Sequence, residues 1–314
     1  MTAKAELLAD GGAAAASDQF FRSREFLTAE RATHSLRIEA AAGDTLVAPL
    51  LVREIEGSGD HDAISPYGYP GLVPPFPPLG EGSLDPAEID WSATGLVSVF
   101  LRHTLDAPPL AGTTERSVVQ LADPQLAPKS RPSDRRQVRR NLEAGYELRL
   151  VPGAETTAAE RAGFLDLYEQ TMRRTGAAPH YFFGGEYFDF ALAAERTWLA
   201  LVTASGGELA ASSIAVVSDG FLHYYLSGSA DTHLSDSPMK NVVSRLIEHA
   251  AELSLPLNLG GGLRRGDALE EFKRGFANRE LAWHTSELVC DPQAYARLSA
   301  GREAGGFFPA YRAP

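Results

Sequence analysis

The sequence predicts a mixed α/β fold, with mixed sheets, in two units. Three observations carry this expectation. Stretches rich in β-branched and aromatic residues alternate along the chain with stretches whose apolar residues recur at helical spacing. A helix-then-strands order occurs in both halves, although no repeat of roughly 20 to 50 residues is present. The length, 314 residues, suits two medium domains or one large one.

The elements follow in order. "HSLRIEA" and "TLVAPLLVREIE" read as a strand pair, and "LVSVFLRH" and "SVVQL" as later strands. Between them "SPYGYPGLVPPFPPLGEGSLDP" is dense in Pro and Gly and predicts a long ordered loop or lid. A basic helix begins near Ser133 and ends at Gly145, and "YELRLV" resumes as a strand. After "VPGAETT" comes a helix from about Thr157 to Thr175, in which Phe164, Leu167, Tyr168, Thr171 and Met172 keep helical spacing. "TWLALVTA", "LAASSIAVVS" and "FLHYYLSGS" read as consecutive strands. An amphipathic helix then runs from Pro238 to Leu253, capped by Ser237, with Val242, Leu246, Ile247 and Ala250 on one face. "PLNLGG" is a short strand, followed by a short helix and the long strand "ELAWHTSELV".

Composition narrows the function. An apolar fraction of 44% and a charged fraction of 22% are ordinary for a soluble globule. No run of 18 apolar residues is present, so no membrane span is expected. The N-terminus lacks the basic start and apolar core of a secretory signal, and a cytoplasmic protein is expected. The single cysteine, Cys290, excludes an internal disulfide. No His/Cys/carboxylate cluster has ligand spacing, so no metal and no cofactor are expected. His180, His223 and His284 have no partner spacing that would make a catalytic base, and they read as structural.

The net charge of −12 argues against broad coating of nucleic acid. Yet "KSRPSDRRQVRR", from Lys129 to Arg140, carries six basic residues and one acidic one. On a helix Arg135, Arg136, Arg139 and Arg140 form one stripe. Such a stripe is either a solvated face or a footprint for a few phosphates, and in an acidic protein the footprint fits the end of a nucleic acid better than its length.

The stretch "LGGGLRRGDALEEFKRGF", Leu259 to Phe276, is the most informative. It is no Walker loop, because Asp267 follows Gly266 where Lys-Ser/Thr is needed. Asp267 is placed to cap a helix, with Glu270 as the reciprocal partner of a capping box. Leu269, Phe272 and Phe276 are expected to face the core. Lys273 falls on the margin of that face, where an ammonium is costly to desolvate. It either snorkels outward or holds a fixed charge that stabilises developing negative charge.

Several ordered blocks together resemble the FemABX family. They are "YYLSGSADTHLSDSPMKNVVSRLIEHAAELSLPLNLGGGLRRGDALEEFKRGF", the basic helix and strand "RRQVRRNLEAGYELRL", the loop "DAISPYGYPG" (with Pro70 where the family has glycine), and "FLDLYEQTMRRTG" with "YFFGGEYF". The likeness runs from about Asp62 to Val289. It implies two tandem GNAT-like domains: a flexible tail over 1–20, domain 1 over 21–152 completed by 290–314, and domain 2 over 153–289. It implies an aminoacyltransferase, active as a monomer, that takes an amino acid from aminoacyl-tRNA and joins it to an amine of a small peptide or peptidyl-nucleoside acceptor. Antibiotic biosynthesis is favoured over a peptidoglycan precursor. The family's Phe-Lys pair falls on Phe272 and Lys273, and its lysine is assigned to the oxyanion of the tetrahedral intermediate. Phe183 stands about where members that bind nucleotide-linked precursors carry an arginine, which disfavours a nucleotide-diphosphate acceptor. The helical-hairpin arm of the staphylococcal members is missing.

The remaining site expectations are these. Tyr225 joins the catalytic set or is strand packing on a face shared with His223 and Ser227. Tyr67, Tyr69 and Tyr187 line the acceptor or pack turns and core. Arg264 and Arg265 reach a phosphate of the tRNA end or are surface charges, and Arg135, Arg136, Arg139 and Arg140 bind the tRNA. The alternative is an acyl-CoA-dependent GNAT N-acyltransferase. Its pyrophosphate loop would precede the helix at Pro238, where the chain has "LSDSPMKN"; the nearest match, "RRTGAA", ends a helix instead.

Overall fold

The computed structural model describes residues 2–40, 43–73, 84–105 and 108–313. The central part of the Pro/Gly-rich loop, 74–83, lies outside the described residues. In chain order the elements are β1 (Ala3–Leu8), α1 (Arg24–Ala29), β2 (His34–Glu39), β3 (Thr45–Glu54), β4 (His61–Ile64), β5 (Ile89–Asp90), β6 (Leu96–Arg102), β7 (Thr114–Ala122), α2 (Pro132–Glu143), β8 (Glu147–Pro152), α3 (Ala158–Thr175), α4 (Gly185–Ala193), β9 (Thr197–Thr203), β10 (Leu209–Ser218), β11 (Phe221–Ser229), α5 (Met239–Leu253), β12 (Leu257–Gly260), α6 (Ala268–Arg274), β13 (Arg279–Val289) and α7 (Pro292–Ser299).

Two compact units form, Met1–Arg116 with Ala282–Pro314 and Ser117–Leu281. These bounds correct the expected ones. The basic helix α2 and strand β8 belong to the second unit because that is where their partners are. Asn141 of α2 donates to Asn241 of α5 at 2.7 Å, and β8 pairs antiparallel with β9 from Glu147↔Thr203 to Pro152↔Trp198. The expected tail is also corrected. Residues 3–8 are strand β1, paired antiparallel with β2, with Ala3 and Ala5 buried.

In the first unit the strand order is β5-β1-β2-β3-β4-β6-β13. Strands β1 to β4 form an antiparallel run, β4 and β6 are parallel, and β6 and β13 are antiparallel. Alternate residues such as Leu36, Ile38, Leu46, Ala48 and Leu50 are fully buried in one apolar cluster, the period-2 signature that the sequence displayed. Asp62 is completely buried and is held by Arg53, Arg312 and the Tyr311 hydroxyl.

In the second unit the order is β7-β12-β11-β10-β9-β8. Only β11 and β12 are parallel, and α5 is the crossover between them. Val242, Leu246 and Ala250 of α5 are buried against this sheet, as the spacing predicted, and Ile247 is partly buried. Ser237 does not cap α5. It adopts a left-handed conformation (φ 49°), and Pro238 is the cap residue. Helix α3 lies so close to β11 that a Cβ on Gly228 would sit 2.4 Å from the Leu167 carbonyl carbon, so glycine is required there.

Two buried histidines carry a pH consequence. Burial holds His103 and His223 down to about 4 from an ordinary 6.5, so both are neutral in the folded chain. Unfolding exposes them to protonation near 6.5. Their contribution to stability is therefore complete above pH 6.5 and is lost as pH falls towards 4. The thermal midpoint should drop across that window, and His103→Gln should show a shallower drop. Identical acid profiles for the variant and the parent would contradict this assignment.

Candidate active site

The quoted glycine stretch folds around two charged side chains. Helix α6 does not present Leu269 inward as expected: Leu269 is 40% exposed, whereas Glu270 and Lys273 are 4% and 8% exposed. The reason is the cap. Asp267 accepts from the backbone N–H groups of Leu263 (2.7 Å), Arg264 (2.9 Å) and Glu270 (2.8 Å). That pins the turn before α6 and sets the helix rotation. Glu270 reaches back to the N–H of Gly266 (2.7 Å), one residue earlier than a capping box requires, and pairs with Arg274. Phe272 is partly buried on the core of the unit and meets Phe276 edge-on at 5.6 Å.

Lys273 thus points into the protein. Its Nζ donates to the Gly261 carbonyl at 2.6 Å. Desolvation lowers its pKa from 10.5 to about 8, partly offset by the Asp267 carboxylate. Gly260, at φ +76°, would place a Cβ 3.1 Å from that Nζ, so a side chain there is strained and intrudes on the amine. The corner is braced from below. Asn258 Oδ1 accepts from the Gly260 N–H at 2.8 Å, and Asn258 Nδ2 donates to His223 Nδ1 at 3.0 Å. His223 Nε2 in turn donates to the Ser218 carbonyl at 3.2 Å, which assigns its neutral tautomer. His223 is structural, as expected.

This corner lies where two strands part. The parallel ladder of β11 and β12 comprises Leu222↔Leu257 and His223↔Asn258. Beyond it β11 continues beside β10 to Ser229, and β12 beside β7 to Gly260. Tyr225, two residues past His223, sits at a β-bulge: Ile214 pairs with Leu226 and Ala215 with Tyr224, leaving Tyr225 as the extra residue. The bulge breaks the expected alternation, and Ser227 accepts from the Tyr224 hydroxyl at 2.7 Å instead of sharing the Tyr225 face.

Tyr225 and Tyr187 come together, with hydroxyls 2.5 Å apart. Tyr187 is stacked on Phe183 at 4.2 Å, and Phe188 and Tyr168 continue the aromatic cluster. Helix α4, which carries Tyr187, was not foreseen because it is short and opens on two glycines, so the exposed Glu186 and Asp189 mark its polar face over little more than one turn. Arg264 and Arg265 are exposed on the glycine turn. In the first unit, Tyr69 packs between Phe21 and Trp283, each at 5.5 Å, and the Tyr67 N–H donates to Glu30 at 2.8 Å. Gly68 between them leaves room for the Phe21 ring, which a Cβ would meet at 2.5 Å.

The basic stripe is divided. Arg135, Arg136, Arg139 and Arg140 are all exposed, but Arg135 and Arg139 border a cavity with Val138 and Leu142, and Arg136 and Arg140 lie outside its lining. Among the described residues, no group of three or more His, Cys, Asp or Glu could hold a metal, and no helix is long and apolar enough to cross a membrane.

Comparison with known proteins fits this architecture. Residues 128–274 match the acetyltransferase (GNAT) domain family. FemX superposes with a TM-score of 0.58 at 11% identity, over 84% of this chain and 90% of that one. L-PGS from Bacillus licheniformis superposes at 0.51 and 12% identity, over 82% and 84%. The C-terminal domain of a putative lysylphosphatidylglycerol synthetase from Agrobacterium fabrum superposes at 0.53 and 12%, over 91% and 92%. No curated protein sequence matches. The expected mixed α/β, tandem GNAT-like fold is therefore the fold observed.

The corner has a direct test. Gly260→Ala adds a methyl group at a left-handed position and against Nζ. It should cost more than about 1 kcal/mol of stability and shift the Lys273 titration. A Gly260→Ala chain with unchanged stability and an unchanged lysine pKa would show that the close approach carries no energy.

Proposed function

We propose that this protein is an aminoacyltransferase that moves an amino acid from aminoacyl-tRNA to a free amine of a small peptide-type acceptor. The observation that carries the reading is the Lys273 ammonium, desolvated and free of a direct carboxylate contact among the described residues, just past the end of the short β11–β12 ladder. Likeness to FemX, to L-PGS and to the C-terminal domain of a putative lysylphosphatidylglycerol synthetase supports the aminoacyl class.

In this reading the acceptor nitrogen attacks the ester carbonyl carbon, and the carbonyl π electrons move to oxygen. Lys273 Nζ stabilises that oxyanion, an interaction worth most in a dry site. Collapse re-forms the carbonyl and breaks the bond to the ribose oxygen. The ribose leaves with a proton that the amine gives up, relayed by the neighbouring ribose hydroxyl. An ester is already activated, so positioning and charge stabilisation carry the barrier reduction. The Phe183–Tyr187–Tyr225 wall lines the acceptor. Arg136 and Arg140, with Arg264 and Arg265, contact phosphates of the tRNA end.

Acyl-CoA use is disfavoured by the start of α5. Pro238 has no N–H, and the N–H groups of Ser237, Lys240 and Asn241 are bonded to the carbonyls of Leu234, Ser237 and Pro238. The Asp236 carboxylate, which accepts from the Tyr146 hydroxyl at 2.8 Å, adds negative charge there. A pyrophosphate would find few donors at that turn.

Mass-spectrometric assay with charged tRNA and with acyl-CoA tests the donor: the tRNA arm should form a new amide and the CoA arm none, and the reverse outcome overturns the reading. Lys273→Ala should lower turnover by about two orders of magnitude with binding of both substrates little changed; a folded, fully active variant would contradict the role. Reversing Arg136 and Arg140 to Glu should weaken use of the tRNA and flatten the log–log salt dependence by roughly one unit per lost contact. An unchanged Michaelis constant for tRNA at low and moderate salt would leave those arginines as solvated charges.

A further inference from the structure

A second concavity in the 117–281 unit has no part in this chemistry. It lies between α2, α5 and the 123–130 segment and encloses about 400 Å³, the size of a small-molecule site. Its floor is apolar, with Val138, Ile247, Ala251 and Phe276 among the lining residues. Two leucines at its edge, Leu126 and Leu142, are 46% and 54% exposed, although both could be covered by an occupant.

The rim is positively charged. Lys129 has no ion-pair partner among the described residues. Arg135 donates to the Ser130 carbonyl and hydroxyl, with no carboxylate partner among the described residues. Arg139 has only a loose exposed contact with Glu143 at 3.8 Å. Of the two acids in the lining, Asp123 is paired with Arg279 at 3.1 Å, whereas Glu248 has only a loose exposed contact with Arg245 at 3.8 Å. Three cations against one loosely held carboxylate, Glu248, thus stand over an apolar floor, a net positive rim.

The geometry points to a binding site for a monomeric amphipathic anion, an acyl chain of medium length ending in a carboxylate. The chain covers Ile247, Ala251 and Phe276 beneath Leu126 and Leu142, and the carboxylate meets Lys129, Arg135 and Arg139. A neutral chain would leave the cations without a partner, and a small inorganic anion would leave the leucines bare. This occupant explains why half of the arginine stripe borders an apolar hollow, and it is independent of the aminoacyl transfer reading.

Calorimetric titration of the full chain with decanoate below its micelle concentration tests this. One equivalent should bind, and affinity should fall about fourfold for each methylene removed towards hexanoate. Acetate should not bind, and decanol should bind about threefold to fivefold more weakly than decanoate, the scale of an exposed ion pair. Ala251→Trp fills the hollow from an exposed helix position and should weaken decanoate at least about tenfold, with the thermal midpoint confirming that the variant folds. The double change Arg135→Gln with Arg139→Gln should remove the preference for decanoate over decanol. Absence of decanoate binding, or equal binding to the Ala251→Trp chain, overturns the proposal. So does self-association, or binding only to vesicles of equal phosphatidylglycerol and phosphatidylcholine, where either is abolished by Ala251→Trp; these would assign the hollow to a second copy or to a membrane surface.

Discussion

The contact of the Lys273 ammonium with the Gly261 carbonyl organises the most informative part of this chain. A single carbonyl and a more distant carboxylate return only part of the hydration that burial removes, so the amine titrates near 8 and not 10.5. At neutral pH it is still mostly protonated, by about tenfold at one unit below its pKa. The result is a fixed cation with no carboxylate bonded to it among the described residues. That is what a developing oxyanion needs, since preorganised charge in a dry site costs no reorganisation when the reaction occurs.

Several otherwise unrelated features serve this contact. Gly260 leaves room for Nζ and accepts the left-handed turn. The Ser218–His223–Asn258 chain anchors the turn from the sheet side, and Asp267 fixes the rotation of α6 so that Lys273 faces inward. The β11–β12 ladder ends at His223↔Asn258, two residues before this corner. The bulge re-aims Tyr225 so that its hydroxyl meets that of Tyr187. Gly260 is therefore a steric condition for burying this amine, and Gly262 makes room for the capping Asp267 carboxylate, which a Cβ there would meet at 2.3 Å.

Much of this was legible in the sequence, and the failures have physical causes. Strands β2, β3 and β9 to β11 were readable from β-branched and aromatic runs, and α3 and α5 from apolar spacing. Lys273 stood out because a lysine rarely neighbours buried phenylalanines. The facing of α6 was misread because apolar spacing favoured Leu269, whereas backbone donors to Asp267 decided the rotation. The unit boundary was misplaced because a basic helix reveals nothing of its packing partner, and the Asn141–Asn241 contact is visible only in three dimensions. Strand β1 was missed because its alanine-rich sequence carries little β signal. The division of the arginine stripe depended on where Val138 and Leu142 found apolar neighbours.

The central claim is that Lys273 carries a buried, weakly compensated charge. Heteronuclear NMR titration of the folded chain labelled with 15N-lysine, assigned with Lys273→Arg, measures this directly. A lysine resonance that is lost in the variant should titrate near pH 8. A value at the ordinary 10.5 would show a solvated amine, and the account of the glycine corner would fall with it.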